Sequence, residues 1–375
     1  MPTKWSRASI SRFTNLSSPA ALRRQNLRNK TYMKNSHIEW TDHTFNPWEG
    51  CTKVSPGCAH CYAEARNARF GGGEAPNWGK GAPRRRTSGQ NWNQPLKWNR
   101  EAGDDQHAYC VEVGARFQES DDMLEVPDRP RVFCASLADW LDDEVDPLWL
   151  ADLLNLIHTT PHLDWLLLSK RPQLWRARME AVCEVDGDNR IAWNWLKPEP
   201  IIPANVWIGT TVEDQQRADE RIPALLKIPA RVRFLSCEPL LGAVTLSLKC
   251  PRDHNGDGDC DHHTRGCPKV DWVICGGESG PGARPMHLDW ARSLRDQCAA
   301  TGVAFHFKQW GEWKPCEVKE KTISVDTPLD VKTPREPELW QWSNARGYSA
   351  RVGKAAAGRL LDGVEHNGLP DVRAV

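Results

Sequence analysis

Between Arg131 and Trp313 the chain repeats one theme, and that repetition limits its fold more than any other feature. Six short apolar runs, "RVFCASLADW", "LDWLLLSKRP", "NVWIGTTVED", "RVRFLSCEPL", "DWVICGGESG" and "VAFHFKQWGEW", each close on small, polar or charged residues, and helical stretches follow. Strands alternating with helices imply right-handed crossovers and a parallel sheet, and near-continuous apolar character implies burial on both faces. Residues 38–48 alternate polar and apolar with β-formers and read as a first strand. The expected fold class is therefore α/β, a partial TIM-type barrel of roughly six to seven βα units.

In barrels of this kind chemistry gathers at the C-terminal ends of the strands. Those ends supply Ser136 and Asp139, then Ser169, Lys170 and Arg171, then Thr210, Thr211, Glu213 and Asp214. Later ends add Ser236, Cys237 and Glu238, then Gly276, Gly277, Glu278 and Ser279, and last Lys308 and Gln309. Any one of these reads equally as a loop residue or helix cap. Consecutive strand ends that all close on polar groups point to a working mouth.

The second constraint is the stretch Asn46 to Arg66, "NPWEGCTKVSPGCAHCYAEAR", which the first strand would deliver at its C-terminal end. It sets Cys51, Cys58 and Cys61 on a short loop carrying Gly50 and Gly57, a backbone able to turn tightly enough for three thiolates to converge. Three sulfur ligands leave one metal position open for a substrate or cofactor, whereas structural zinc takes four protein ligands. An iron–sulfur cluster is one reading, and zinc with a fourth ligand from His60 or His43 is the other. Thirteen cysteines, an odd number scattered through 375 residues, read as reduced thiols of a cytoplasmic protein.

The run "NPWEGC…GCAHCYAEAR" resembles the cluster loop of radical S-adenosylmethionine (radical SAM) enzymes, especially relatives of spore photoproduct lyase. It departs from their usual CxxxCxxC spacing by three extra residues in the first gap, and His60 stands where an aromatic residue is common. From about Ile38 the chain also resembles a phage and bacterial family of three-cysteine proteins, through "IEWTDHTFNPWEGC", "RFLSCEPLLG" and "GGESGPGARPM". The first resemblance implies a [4Fe-4S] cluster on Cys51, Cys58 and Cys61 that binds SAM and cleaves it reductively to a 5′-deoxyadenosyl radical. It also implies a reductant protein such as flavodoxin or ferredoxin. Modification or repair of a nucleic acid or nucleotide in a phage or bacterial setting is the expected purpose. SAM carries an ammonium, a carboxylate, a ribose and a sulfonium, for which Ser136, Ser169, Lys170, Arg171, Glu213, Glu238 and Glu278 are the candidate contacts. Cys237 and Cys275 are candidate hydrogen-atom donors to a product radical. The rival class is a non-catalytic, zinc-stabilised nucleic-acid-binding protein.

Formal net charge is zero, so any attraction to nucleic acid has to be local. The best patch lies in Glu74 to Arg100, where Arg84, Arg85 and Arg86 are interleaved with Trp78, Trp92 and Trp98 in a stretch read as irregular. Cations neutralise phosphates and indole faces stack on bases; the alternative is a solvated loop with its tryptophans tucked in. Residues 1–34 form a basic leader, acid-free through residue 32 and expected to be disordered, and residues 35–316 the barrel. An insertion at 250–269 begins like a calcium loop, but Thr264 stands where the bidentate glutamate is required. Cys250, Cys260, Cys267 and His262 could instead hold zinc. Residues 317–375 read as a lid and tail with one short helix near Gly363, and no apolar run approaches the length of a membrane span.

Overall fold

Each apolar run becomes a strand of one parallel sheet in the computed structural model, which describes residues 36, 38–116, 128–248, 269–319, 322–324, 337–342 and 347–372. In chain order the first strands are β1 (His43–Phe45), β2 (Trp48–Glu49), β3 (Arg85–Arg86), β4 (Arg131–Cys134) and β5 (Asp164–Ser169). They are followed by β6 (Val206–Thr211), β7 (Val232–Cys237), β8 (Trp272–Gly276) and β9 (Ala304–Gln309). The sheet order is β1-β4-β5-β6-β7-β8-β9, every neighbour parallel. Strands added one after another in a single direction give a half-barrel, with β1 and β9 at its two edges. The leader and the 250–267 candidate zinc residues (Cys250, Cys260, Cys267, His262) lie outside the described residues.

Side chains alternate across the strands, so the sheet builds two cores. Outward residues such as Val132, Leu167, Ile208, Leu235 and Val273 join the helices in the larger core. The helices are α1 (Tyr62–Phe70), α2 (Gly89–Trp92), α3 (Gln94–Arg116), α4 (Pro147–His158), α5 (Trp175–Val185), α6 (Arg190–Leu196), α7 (Gln215–Leu226) and α8 (Leu288–Thr301), of which α2 to α8 contribute to that core. Inward residues Phe133, Leu166, Trp207, Phe234, Trp272 and Ile274 meet Trp40 in a second, aromatic core. Trp40 stands edge-on to Phe133 at 4.9 Å and to Trp272 at 5.8 Å between ring centres. Large rings thus fill the inside of the half-barrel below its mouth.

Phe234 fits only because Gly209, beside it on β6, has no side chain: a Cβ there would stand 2.3 Å from the Phe234 ring. Gly209→Ala is expected to cost about 1–3 kcal/mol in denaturant unfolding, the range for overpacking a filled core. Adding Phe234→Leu should recover part of that loss, because it vacates the space the new methyl needs.

Three stretches differ from the sequence reading. The first strand is shorter than residues 38–48, because Pro47 has no N–H to continue the ladder, and β2 pairs instead with β3. The stretch up to Arg100 is not irregular throughout, since α3 starts at Gln94 with Pro95 in its first turn. Beyond β9, the tail builds a second, antiparallel sheet from β10 (Trp313–Lys319), β11 (Thr322–Ser324), β12 (Leu339–Gln341) and β13 (Tyr348–Arg351), in the order β11-β10-β13-β12. Pro315 is tolerated in β10 because β11 pairs only with Glu317 to Lys319. The short helix α9 (Lys354–Ala357) ends at Gly358, earlier than Gly363.

The chain then returns to the free edge of β9. Phe307 N–H donates to the His366 carbonyl and Gly368 N–H to that of Phe305, both at 2.9 Å, while Trp272 Nε1 donates to the Gly368 carbonyl at 2.8 Å. Leu369 and Val372 pack on the inner aromatic core. An Arg359–Glu39 ion pair at 2.5 Å joins this segment to the residues that lead into β1. Among the described residues no helix is long and apolar enough to cross a membrane.

Candidate functional site

The cysteine loop leaves β1 through Asn46, whose side chain is the first device that places it. Asn46 Oδ1 accepts from Leu137 N–H at 2.7 Å, and its Nδ2 donates to Ser136 Oγ at 3.0 Å. An amide that donates and accepts at once locks the exit of β1 to the exit of β4. Cys51 follows beside Trp78, Cys58 ends a single 3₁₀ turn begun by Pro56, and Cys61 caps the N-terminus of α1.

Four strand ends hold the loop down. Beyond β5, Arg171 Nη1 donates to Cys51 Sγ at 3.5 Å and pairs with Asp139 at 2.9 Å, while its Nη2 donates to the Thr52 carbonyl at 2.7 Å. Beyond β6, Glu213 accepts from Gly57 N–H at 3.4 Å and pairs with Arg221 at 2.8 Å. Gly57 allows that approach, since a Cβ would stand 3.0 Å from the carboxylate. Beyond β8, Glu278 meets His60 Nδ1 at 3.3 Å and takes a two-pronged contact from Arg284, whose Nη2 also donates to the Pro56 carbonyl at 3.0 Å. Beyond β4, Tyr62 Oη donates to the Ser136 carbonyl.

The electrostatics follow from burial and pairing. Burial pushes the Cys51 thiol up to about 12, Asp139 adds to that, and Arg171 pulls in the opposite direction. For Glu278, burial raises the pKa, but the hydrogen bonds and charge of Arg284 outweigh it and hold the carboxyl below its ordinary range. Glu238, beyond β7, receives Lys308 Nζ on both oxygens at 2.7 and 2.8 Å and Gln309 Nε2 at 3.1 Å. Both donors reach it because the β8–β9 register slips between Cys275 and Gly276. A bulge turns two successive side chains to the same side.

Most expected mouth residues are thus gathered in one place. Asp139, Arg171, Glu213, Glu238 and Glu278 form its wall, while Ser169 is taken up in the turn, accepting from Arg171 N–H at 2.8 Å. Lys170 donates its backbone N–H to Asp139 at 2.9 Å. Arg284 and Asn46 complete the arrangement without having been candidates, and His60, named only as a fourth zinc ligand, joins it through Glu278. Arg284 and Asn46 do stand in the distinctive blocks "GGESGPGARPM" and "NPWEGC", which is the signal that could have found them.

Cys237 and Cys275 are not at the mouth. Both are fully buried on the outward face, packed with Leu235, Val273 and Cys298 of α8 in the helix-side core, where burial pushes their thiols up. A thiol behind the sheet has no path to a substrate in front of it. Cys237→Ala and Cys275→Ala are expected to leave any turnover unchanged and to cost about 1 kcal/mol each in stability, the worth of one buried methyl-sized group.

The Arg/Trp stretch is engaged within the fold. Arg84, 1% exposed, is bonded to Asp142 at 2.8 Å, Glu144 at 2.6 Å, Thr52 Oγ1 at 2.8 Å and three carbonyls. Arg85 pairs with Glu49, and Arg86 with Asp152 while its guanidinium lies over Trp92 at 4.3 Å. Trp98 stacks on His43 with ring centres 4.2 Å apart. Arg85, 62% exposed in its side chain, is the member of this set best placed to meet a phosphate from solvent.

A cluster or metal on the loop needs three thiols within bonding reach of one centre. Among the described residues no three His, Cys, Asp or Glu side chains stand that close together. In kind the donors fit: Cys51, Cys58 and Cys61 are free thiols on one loop over the mouth, and soft thiolates suit iron–sulfur clusters and zinc. A protein-family model described as "Protein of unknown function (DUF5131)" matches residues 35–370. No curated protein and no solved structure matches the chain.

Proposed function

The chain belongs to the family described as "Protein of unknown function (DUF5131)", and from that premise we propose that it is a radical SAM-like enzyme on a partial TIM-type barrel, acting on a nucleic acid or nucleotide. The observation that carries this reading is the strapping of the three-cysteine loop across the strand ends: Arg171, Glu213, Glu278 and Ser136 each hold a different part of it. A loop that only closed one end of a sheet would not need anchors from four separate strand ends, three of them charged side chains. Cys51, Cys58 and Cys61 would hold a [4Fe-4S] cluster. When bound, such a cluster supplies one electron to SAM, giving methionine and a 5′-deoxyadenosyl radical that takes a hydrogen atom from the substrate.

The chain's own residues set the conditions for that chemistry. Arg171 brings positive charge to Cys51 and is itself oriented by Asp139. Glu278, kept ionised by Arg284, offers a carboxylate at the mouth that suits an ammonium. Glu238, beyond the neighbouring strand β7, is held by Lys308 and Gln309, and a paired carboxylate there suits ribose hydroxyls. The inner aromatic core closes the half-barrel beneath the mouth and keeps bulk water out from that side.

The test is to purify the full chain without oxygen, supply iron and sulfide, and measure dithionite-driven formation of 5′-deoxyadenosine from SAM. A brown protein that forms it supports the reading. A colourless protein that carries zinc and leaves SAM intact would replace it with the zinc-stabilised binding protein.

A further inference from the structure

The helix that leaves the cysteine loop turns an uncovered face to solvent. α1 buries Ala63 and Asn67, while Tyr62, Ala65, Arg66, Arg69 and Phe70 all stay exposed. Those five stand at i, i+3, i+4, i+7 and i+8, the spacing of one continuous stripe along a helix. A stripe of that spacing ordinarily carries apolar residues into a core, whereas here the aromatic rings at its two ends lie in water. Phe70 is 74% exposed and Tyr62 59%. Eight residues of helix set their backbones about 12 Å apart, so a single planar group cannot cover both rings.

Guanidiniums occupy the space between the rings. Arg66 lies over Phe70, 5.1 Å from the ring centre, and pairs with Glu49 at 2.9 Å. Arg85 pairs with the same Glu49, so one carboxylate answers two guanidiniums. The Glu49 side chain is 9% exposed against 45% for Arg66 and 62% for Arg85, and the uncompensated positive charge therefore faces solvent. Arg69 makes no ion pair among the described residues, and Glu64 is taken up by Lys53 at 2.7 Å. The stripe begins at the mouth, since Cys61 caps α1 and Tyr62 Oη donates to the Ser136 carbonyl beyond β4.

We propose that this face of α1 is a track for single-stranded DNA, with unpaired bases stacked on Tyr62 and Phe70 and phosphates met by Arg66, Arg69 and Arg85. Aromatic faces stack on any unpaired base, and cations neutralise the phosphates between successive bases. A duplex keeps its bases inside and could use only the arginines. Recognition of a ribose 2′-hydroxyl needs an open polar partner, and the polar groups of this face are spent: Tyr62 on Ser136, Glu49 on two arginines and Glu64 on Lys53. The track rests on the substrate class proposed above and narrows it, leading a strand from Phe70 to the mouth beside Cys61.

The test is fluorescence anisotropy of a labelled single-stranded DNA oligonucleotide with the full chain over a range of salt concentrations, beside the duplex and the RNA of the same sequence. The single-stranded DNA should bind the most tightly. Phe70→Ala should weaken it about tenfold at every salt concentration, the effect of losing one stacked base, and Phe70→Trp should keep it. Arg69→Ala should lower the slope of log affinity against log salt by about 0.7, the share of one phosphate contact. Both side chains are exposed, so neither substitution disturbs the core. Absence of binding at low salt, or unchanged binding in both alanine variants, would overturn the track. So would a duplex bound as tightly as the single strand, and tighter binding of the RNA would overturn the choice of DNA. SAM cleavage is not read, so a failed track leaves the radical reaction standing, and a failed radical reaction leaves the track.

Discussion

Cys58→Ala is expected to abolish 5′-deoxyadenosine formation, reducing it to the level of protein never supplied with iron and sulfide. Cys58 is nearly buried at the end of its 3₁₀ turn, between the glycine held by Glu213 and the histidine held by Glu278. An alanine there keeps both anchors and removes one of the three proposed ligands. Iron content and visible absorption should fall together with turnover, while the unfolding midpoint of the iron-free protein should change little. A variant that retains the full visible spectrum and full SAM cleavage would remove Cys58 from the ligand set and the proposed reaction with it.

The largest loss of stability is expected at Arg84. Its guanidinium is buried between Asp142, itself 0% exposed, and Glu144, and it also holds Thr52, the residue after Cys51. Removing one member of a buried ion pair leaves the other charge without compensation, so Arg84→Ala should cost about 3–5 kcal/mol in denaturant unfolding. Asp142→Ala combined with it should cost less than the sum, because the stranded carboxylate is gone. Additive losses in that double-mutant cycle would show that the pair is not the source.

The parts of the fold that were legible were those written in local pattern. The runs from "RVFC" to "VAFHF" announced their strands because a strand covered on both faces must be apolar at successive positions, and Gly71 marked the end of α1. The tail sheet was not legible, because β10 carries Pro315 and charged residues and gains its partners only across the chain. Within the site, Glu213 and Glu278 stood out as strand-end acids. Their partners Gly57 and His60 lie 156 and 218 positions away, and no local pattern joins them. The orientation of Cys237 and Cys275 could have been read by counting alternate residues from Phe234 and Trp272. The bulge that turns Lys308 and Gln309 toward Glu238 could not, since a shift of register leaves no mark in composition.

The pairing of residues 366–368 with β9 also has a consequence for how the molecule is made. Strands that join a sheet in chain order can assemble as they emerge during synthesis, each on the one before it. At every such stage the newest strand presents a bare edge able to recruit a neighbouring chain. The last of these edges is β9, and the segment that covers it arrives some sixty residues later, after the tail sheet. The nascent protein is thus most prone to misassociation late in its synthesis, and those final backbone bonds act as the latch that ends the risk.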